Sequence, residues 1–178
     1  MHILLTNDDG LWAPAIQGLA QELAKHHRVT MVAPKVEQSA KSSALTVQVP
    51  IRAKEMSEEG DNPRMLFVEG TPVDCVKFSL SYLLKNDRPD LVVSGINHGF
   101  NLGSDAVYSG TVGAALEGLM YGIPSLALSL EKYSVKRMEE ILPFIIDFIR
   151  VIYEKGKYEG LLNVNFLKEG PVGWEQVK

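Results

Sequence analysis

The sequence predicts an α/β fold with a mainly parallel sheet, and three features of its 178 residues lead to this prediction. Short apolar runs alternate with longer stretches whose apolar residues recur at helical spacing. The opening run, residues 3–6, is apolar on both faces, as in a strand buried inside a parallel sheet. Neither a repeat nor a linker interrupts this alternation, so we expect residues 1–178 to form one domain.

Each predicted element follows from its own residue pattern. Strands are apolar runs that stop at Pro, Gly or polar clusters, and helices carry apolar residues three and four positions apart. Pro14 and Pro72 lie where a helix begins, since the first turn does not use their missing N–H, and Thr71 is the expected cap. The predicted strands are 3–6, 29–33, 45–53, 65–68, 90–94, 123–129 and 161–165. The predicted helices are 14–27, 72–85, 111–121 and 135–153.

Two of these elements have additional features. Pro50 lacks an N–H group, so the run 45–53 is predicted to be an edge strand or an excursion from the sheet rather than a central strand. The helix 111–121 carries small residues at helical spacing, which predicts close packing on the sheet; these are Gly113, Ala114, Ala115 and Gly118.

Composition excludes several classes of protein. The net charge is −4, which argues against binding to nucleic acid through a basic surface. The one cysteine, Cys75, excludes an internal disulfide and a thiolate metal cluster; it fits a reducing compartment and a place in the core. No apolar run approaches the roughly 18 residues that span a membrane, and polar residues appear too early for a signal peptide. We therefore expect a cytoplasmic protein that does not enter membranes.

Two acids directly after the first strand form the first candidate site. Asn7-Asp8-Asp9-Gly10 is also an ordinary turn sequence, and taken alone a turn and a site are equally good readings. Two carboxylates about 4 Å apart repel by about 4 kcal/mol at an effective dielectric of ~20. A divalent cation would remove that repulsion, and the neighbouring sequence contains no strong basic partner.

Two further candidates follow later in the chain. Residues 94–99 follow the strand 90–94 and include Asn97, whose amide carbonyl suits a metal, and His98, which is positioned to protonate a leaving group. A flexible loop with a solvated histidine is the alternative reading. Ser109-Gly110-Thr111 opens a helix, where free N–H groups and two hydroxyls would hold an anion, although plain caps are commoner.

Taken together, these places predict phosphoryl chemistry. Ligands of open parallel sheets bind at the carboxyl ends of the strands, where the acids and Asn97 are expected to meet. Oxygen donors suit hard cations such as Mg²⁺, Mn²⁺ or Ca²⁺. Acids next to a phosphate would repel it without a bridging metal, and the natural nucleophile is a water activated by that metal.

The same residues resemble the SurE family of survival proteins and 5′/3′-nucleotidases. The resemblance runs from Met1 to about Asn165, in the family's order. Its motifs are Ile3–Gly10, Ala33-Pro34 with Gln38-Ser39-Ala40, Gly70–Val76, Ser94–Gly99 with Asn101, and Tyr108–Ala115. The family usually continues further, so the resemblance implies that this chain lacks the usual C-terminal segment.

The resemblance implies a Rossmann-like three-layer α/β/α sandwich that hydrolyses nucleoside 5′- and 3′-monophosphates with Mg²⁺ or Mn²⁺, with Ca²⁺ able to replace them in crystals. The residues that would hold the metal are Asp8, Asp9, Ser39 and Asn97. Those that would line the phosphate pocket are Asn101, Ser109, Gly110 and Thr111. Asp8 or Asp9 would also act catalytically by accepting a proton. Family members form homodimers or homotetramers, so the same is expected here.

Two other functions are compatible with the residues. In the first, Asp8 or Asp9 attacks phosphorus to form an aspartyl-phosphate, as in haloacid-dehalogenase-like phosphatases. The signature of those enzymes spaces its acids one residue apart, whereas here they are adjacent. In the second, the chain is a non-catalytic module that binds metal and nucleotide without turnover.

Overall fold

A computed structural model describes residues 1–174, and a seven-stranded sheet lies at its centre. The strand order is β3-β4-β2-β1-β5-β6-β7. All neighbouring pairs are parallel except β3 and β4, which are antiparallel. The strands are β1 His2–Thr6, β2 Arg28–Pro34, β3 Ala53–Glu55, β4 Arg64–Val68, β5 Leu91–His98, β6 Ser125–Leu130 and β7 Leu161–Phe166.

Five α-helices connect these strands. They are α1 Pro14–Ala24, α2 Pro72–Phe78, α3 Asp105–Tyr108, α4 Gly110–Met120 and α5 Val135–Ile149. Two π-helical segments, Ser79–Leu83 and Arg150–Lys155, extend α2 and α5 and complete the lengths predicted for those helices. Within residues 1–174, no helix combines the length and the apolar character that crossing a bilayer requires.

Two apolar cores, one on each face of the sheet, give three layers. On one face the side chains of α1 and α5, such as Leu19 and Ile145, pack against Leu5 of β1. On the other face α2 and α4 cover Leu4, and Cys75 is fully buried there as predicted. The α/β/α sandwich with a mainly parallel sheet is therefore confirmed, and its apolar strands are buried on both faces as parallel sheets require.

The strand order reverses between β1 and β5. From β1 the chain moves outward through β2 and β4, whereas β5, β6 and β7 extend the sheet in the opposite direction. Thr6, the last residue of β1, lies in register with Ser94 of β5. The segments after these two residues therefore border the crevice in which doubly wound sheets bind their ligands.

The predicted edge strand at 45–53 is mostly wrong. Only Ala53–Glu55 pairs with the sheet, at its edge and antiparallel to β4, and residues 45–52 are irregular. Val47 and Val49 are 82% and 64% exposed, so this stretch has no apolar face to bury against the sheet. Pro50, moreover, supplies no N–H for a ladder.

The strand predicted at 90–94 is longer than expected, which shortens the segment before the helix predicted at 111–121. Strand β5 continues to His98, with an irregular register against β6 between Ser94 and Asn97. Gly95 has φ +128°, and a Cβ there would lie 2.3 Å from the Leu128 carbonyl oxygen. Only glycine therefore allows β5 to continue past this point, and that brings Asn97 into the sheet. The short helix α3 fills part of the remaining loop.

The small residues of α4 serve two neighbours rather than one. Gly118 faces the sheet as predicted, since a Cβ there would lie 2.7 Å from Val92 Cγ2 and from Ser125 Oγ. Gly113 faces a loop instead, because its added Cβ would lie 2.9 Å from the Ser42 carbonyl oxygen and from Ser43 Oγ. The helix therefore packs closely against both the sheet and residues 42–43.

We predict that Gly118→Ala destabilises the protein by about 1–3 kcal/mol, because the added methyl group overpacks the contact with Val92. Gly18→Ala in α1 is the matched control: its Cβ would meet only Met138 Cε, at 4.0 Å. That variant should stabilise the protein by up to about 1 kcal/mol through helix propensity. Urea unfolding of both variants measures the difference, and equal effects would contradict the packing described for α4.

Candidate functional site

The turn after β1 holds two adjacent carboxylates at the crevice. Asn7 closes the turn, since its Nδ2 donates to the Gly10 carbonyl (3.0 Å) and its Oδ1 accepts from the Gly10 N–H (3.1 Å). Gly10 has φ +99°, a conformation that favours glycine. The neighbours of Asp8 and Asp9 thus fix the backbone, and the two acids do not spend their own oxygens on closing the turn.

Asp8 lies against the start of α4, more than a hundred residues away in sequence. Its side chain is 5% exposed, and its Oδ1 accepts a 2.6 Å hydrogen bond from the Thr111 hydroxyl. A Cβ on Gly110 would lie 3.2 Å from Asp8 Cβ, a tight contact that glycine avoids. The structure therefore brings together the first and third candidate places of the sequence.

Burial gives both carboxylates raised pKa values. For Asp8 desolvation raises the pKa, and the hydrogen bonds from Thr111 oppose the rise. For Asp9 desolvation and then the negative charge of Asp8 raise the pKa from 3.8 to about 6. Within residues 1–174, neither carboxylate forms an ion pair with Lys, Arg or His. The site therefore concentrates negative charge that no Lys, Arg or His of the described residues pairs with directly.

A third carboxylate, Glu37, lies beside this pair and was missed by the sequence reasoning. Its charge contributes to the raised pKa of both Asp8 and Asp9. The Ser39 hydroxyl, exposed on the loop after β2, donates to Glu37 Oε1 at 2.6 Å. Gln38 between them donates its backbone N–H to the Asp8 carbonyl (2.7 Å), which ties this loop to the acid pair.

Asn97 and His98 reach the crevice from the neighbouring strand. The Asn97 side chain donates its Nδ2 to the Gly99 carbonyl at 2.9 Å, which leaves its Oδ1 available as an acceptor. His98 is exposed, and its charge and backbone N–H oppose the rise in the Asp9 pKa. Both residues thus lie on the β5 side of the acid pair.

Asn101 is held by the last two strands of the sheet, a network that the sequence reasoning did not identify. It is 6% exposed, and its Nδ2 donates to Ser129 Oγ of β6 at 2.8 Å. In β7, Asn165 Oδ1 accepts from the Asn101 backbone N–H (2.9 Å) and Asn163 Nδ2 donates to its carbonyl (2.7 Å). Asn163 and Asn165 are two residues apart in β7, and side chains at that spacing lie on the same side of a strand. This spacing is the sequence feature that could have predicted their shared role.

The start of α4 is an ordinary cap with donors to spare. Ser109 accepts the Val112 N–H on its side-chain oxygen (3.1 Å), so its own hydroxyl proton stays free for another acceptor. The Gly110 N–H belongs to the first turn and has no partner within the helix. Thr111, in contrast, directs its hydroxyl to Asp8, so it supports the acid pair rather than an anion.

The donor set fits a hard divalent cation. Two desolvated carboxylates without an ion-pair partner among residues 1–174 follow β1, a hydroxyl follows β2 and an amide carbonyl lies at the end of β5, and these are oxygen ligands of the kind that Mg²⁺ and Mn²⁺ prefer. Within the described residues no three His, Cys, Asp or Glu side chains form a metal-binding group. Any ion held here would therefore need the neutral oxygens of Ser39 and Asn97 in addition to the acid pair.

Comparison with known proteins gives one consistent family. The family model described as "Survival protein SurE" matches residues 3–178. A 5′-nucleotidase SurE of Thermoanaerobacter sp. (strain X514) is 45% identical over 166 residues, and one of Desulforudis audaxviator is 44% identical over 177 residues. The crystal structure of the SurE protein from Aquifex aeolicus matches with a TM-score of 0.81 and 36% identity.

These matches cover nearly all of this chain but only part of the relatives. The alignments include 93% and 97% of this chain, but 65% and 68% of the two nucleotidases. The structural match covers 95% of this chain and 67% of the Aquifex aeolicus chain. The chain thus spans about two thirds of the length of these relatives, or slightly less.

We predict that Asp9→Asn stabilises the metal-free protein at neutral pH. Because the folded-state pKa is raised, the folded protein binds more protons than the unfolded chain between pH ~4 and ~6, so stability falls as pH rises through that window. Above it the full penalty remains, on the order of 1 kcal/mol after solvent screening. Urea unfolding in EDTA should show the gain at pH 7 and none near pH 4.

Asp61→Asn, on an exposed turn, is the control for this prediction. It should shift stability by less than about 0.5 kcal/mol at either pH. A gain for Asp9→Asn that is equally large at pH 4 would contradict the electrostatic origin of the penalty.

Proposed function

The chain belongs to the survival protein SurE family, and on that basis we propose that it is a divalent-metal-dependent phosphomonoesterase. Its substrates would be nucleoside 5′- and 3′-monophosphates, cleaved to nucleoside and phosphate. The observation that carries the proposal is the acid pair, a buried Asp8 and a half-buried Asp9, whose pKa values are raised chiefly by desolvation and which form no ion pair within residues 1–174. The two relatives described above are named 5′-nucleotidase SurE, which supports hydrolysis of nucleoside 5′-monophosphates.

We assign the metal to Asp8, Asp9, Ser39 and Asn97. When bound, Mg²⁺ or Mn²⁺ would neutralise the two carboxylates, draw a phosphate oxygen towards them and lower the pKa of an adjacent water. Thr111 keeps Asp8 oriented through its 2.6 Å hydrogen bond. Asp9, which would lie beside the attacking water, would accept its proton.

The start of α4 would bind the phosphate. The Ser109 hydroxyl and the Gly110 N–H have no acceptor within the helix and would donate to phosphoryl oxygens as negative charge develops there. Asn101, anchored by β6 and β7, would supply a further polar contact. Thr111 stays in the pocket wall, but its hydroxyl is committed to Asp8.

Three broader expectations remain predictions. They are a single phosphatase domain over residues 1–178, a cytoplasmic location, and a homodimer or homotetramer.

We predict that phosphate release from nucleoside monophosphates or an aryl phosphate requires Mg²⁺ or Mn²⁺. Asp9→Asn should lower turnover by about 10²–10⁴-fold with the fold intact, because it loses both a charged ligand and the proton acceptor. Asp61→Asn should leave turnover unchanged. Turnover of a folded Asp9→Asn protein at the wild-type rate, or full activity in EDTA, would count against the proposed site.

Beryllium fluoride separates this mechanism from one that forms an aspartyl-phosphate. An acid that attacks phosphorus would be trapped as a stable beryllofluoride adduct, which mass spectrometry under native conditions detects. For a water nucleophile we expect inhibition without an adduct on Asp8 or Asp9. Metal and nucleotide binding without phosphate release would instead favour the non-catalytic module.

A further inference from the structure

Residues 39–46 are here called the strap. They begin at the proposed metal ligand Ser39 and end at Thr46, which contacts Asp74 near the start of α2. Most of the strap is exposed, so apolar burial does little to fix its position. Its two inward-facing residues, Ser42 and Thr46, are half-buried and make polar contacts. The position of the strap therefore depends on hydrogen bonds.

The middle of the strap, at Ser42, is attached next to α4. The Ser42 N–H donates to the Tyr108 carbonyl at 3.0 Å, and its hydroxyl donates to the Val107 carbonyl at 2.8 Å. Gly113 brings α4 close enough to contact Ser42 and Ser43. This contact keeps the strap beside the helix start that would bind phosphate.

The C-terminal end of the strap, at Thr46, is attached to one buried carboxylate, that of Asp74. Asp74 is 2% exposed; its Oδ1 accepts the Thr46 N–H (3.0 Å) and its Oδ2 accepts the Thr46 hydroxyl (2.6 Å). Oδ2 also accepts the Thr71 N–H (2.8 Å) in a capping box that begins α2. The Thr71 hydroxyl in turn donates to the Ala44 carbonyl at 2.7 Å.

A capping box alone does not need these contacts to the strap. It needs only the reciprocal bonds between Thr71 and Asp74, both of which are present. The two bonds from Thr46 are additional, and hydrogen bonds to a buried carboxylate are stronger than those between neutral groups. They connect the start of α2 to a loop that carries a proposed metal ligand.

We infer that Asp74 is a positioning residue that, through Thr46, holds the strap and with it Ser39 at the metal and phosphate site. This inference rests on the proposed function. Asp74 itself does not touch the acid pair; it acts by limiting how often the exposed strap leaves its place.

Thr46→Val tests the clamp, because it removes the hydroxyl bond to Asp74 and keeps the shape of the side chain. Lys41 is exposed within the strap, so cleavage by trypsin after Lys41 reports strap opening in the native protein. We expect Thr46→Val to speed this cleavage about tenfold, the change expected for one lost hydrogen bond to a carboxylate. Cleavage after Lys85, outside the strap, should keep its wild-type rate.

Two further variants separate positioning from general stability. Thr46→Ser keeps the hydroxyl and should restore the wild-type cleavage rate and kcat/KM. Thr30→Val removes a hydroxyl that is hydrogen bonded to His2 Nε2 (2.9 Å) elsewhere in the fold and should change neither. For Thr46→Val we expect kcat/KM to fall severalfold and the Mn²⁺ concentration for half-maximal activity to rise.

Three results would overturn the inference. The first is cleavage of Thr46→Val after Lys41 at the wild-type rate, and the second is faster cleavage with unchanged kcat/KM and Mn²⁺ dependence. The third is a loss of kcat/KM in Thr30→Val as large as that in Thr46→Val. If the wild-type protein releases no phosphate with any metal, the proposed function fails separately. Trypsin cleavage with and without Mn²⁺ then tests the inference. Slower cleavage of the wild-type protein after Lys41 when Mn²⁺ is added, with a smaller effect of Mn²⁺ in Thr46→Val, supports the role of Asp74 and Thr46. An absence of any Mn²⁺ effect overturns it.

Discussion

The partial burial of two adjacent carboxylates, Asp8 and Asp9, at the end of the central strand is the constraint on which the rest of the site depends. The two carboxylates are adjacent in sequence and partly removed from water; burial raises the pKa of both, and the negative charge of Asp8 raises the pKa of Asp9 further. Stability of the fold alone would not favour such a pair, because a nearby Lys or Arg would offset the energetic penalty of the two partly buried carboxylates. The surroundings instead supply neutral donors, above all Thr111, which orient the acids and leave their charge available to a cation.

Two kinds of force hold the site together. The acids follow β1, the central strand, whose residues Ile3, Leu4 and Leu5 are fully buried between two helical layers. Their backbone is thus fixed by apolar packing on both faces. The loops that complete the site are exposed and held mainly by hydrogen bonds, each worth about 1 kcal/mol. The charged centre is therefore the rigid part, and its walls open more easily.

The reversal of strand order explains why distant segments meet. Because β1 and β5 are neighbours, the acid turn and the β5 extension that carries Asn97 lie side by side. The helix α4 then returns across the same edge, and Gly110 lets it contact Asp8 directly. The proposed hydrolysis of a phosphate ester would need carboxylates, neutral oxygen ligands and hydrogen-bond donors to the phosphate close together. The point at which strand order reverses in a doubly wound sheet provides such a place.

The sequence by itself determined the α/β class, most of the strands and helices, and the polar residues that follow the central strands. These features depend on local periodicity and on Pro and Gly positions, which a single chain displays directly. Only the tertiary structure decided the partners: Thr111 on Asp8, Glu37 beside the pair, and Asn163 and Asn165 around Asn101. It also left most of 45–53 outside the sheet and turned Gly113 towards the strap. Such contacts join residues as far apart as Asp8 and Thr111, more than a hundred positions. They follow from strand order and helix packing, which local patterns do not encode.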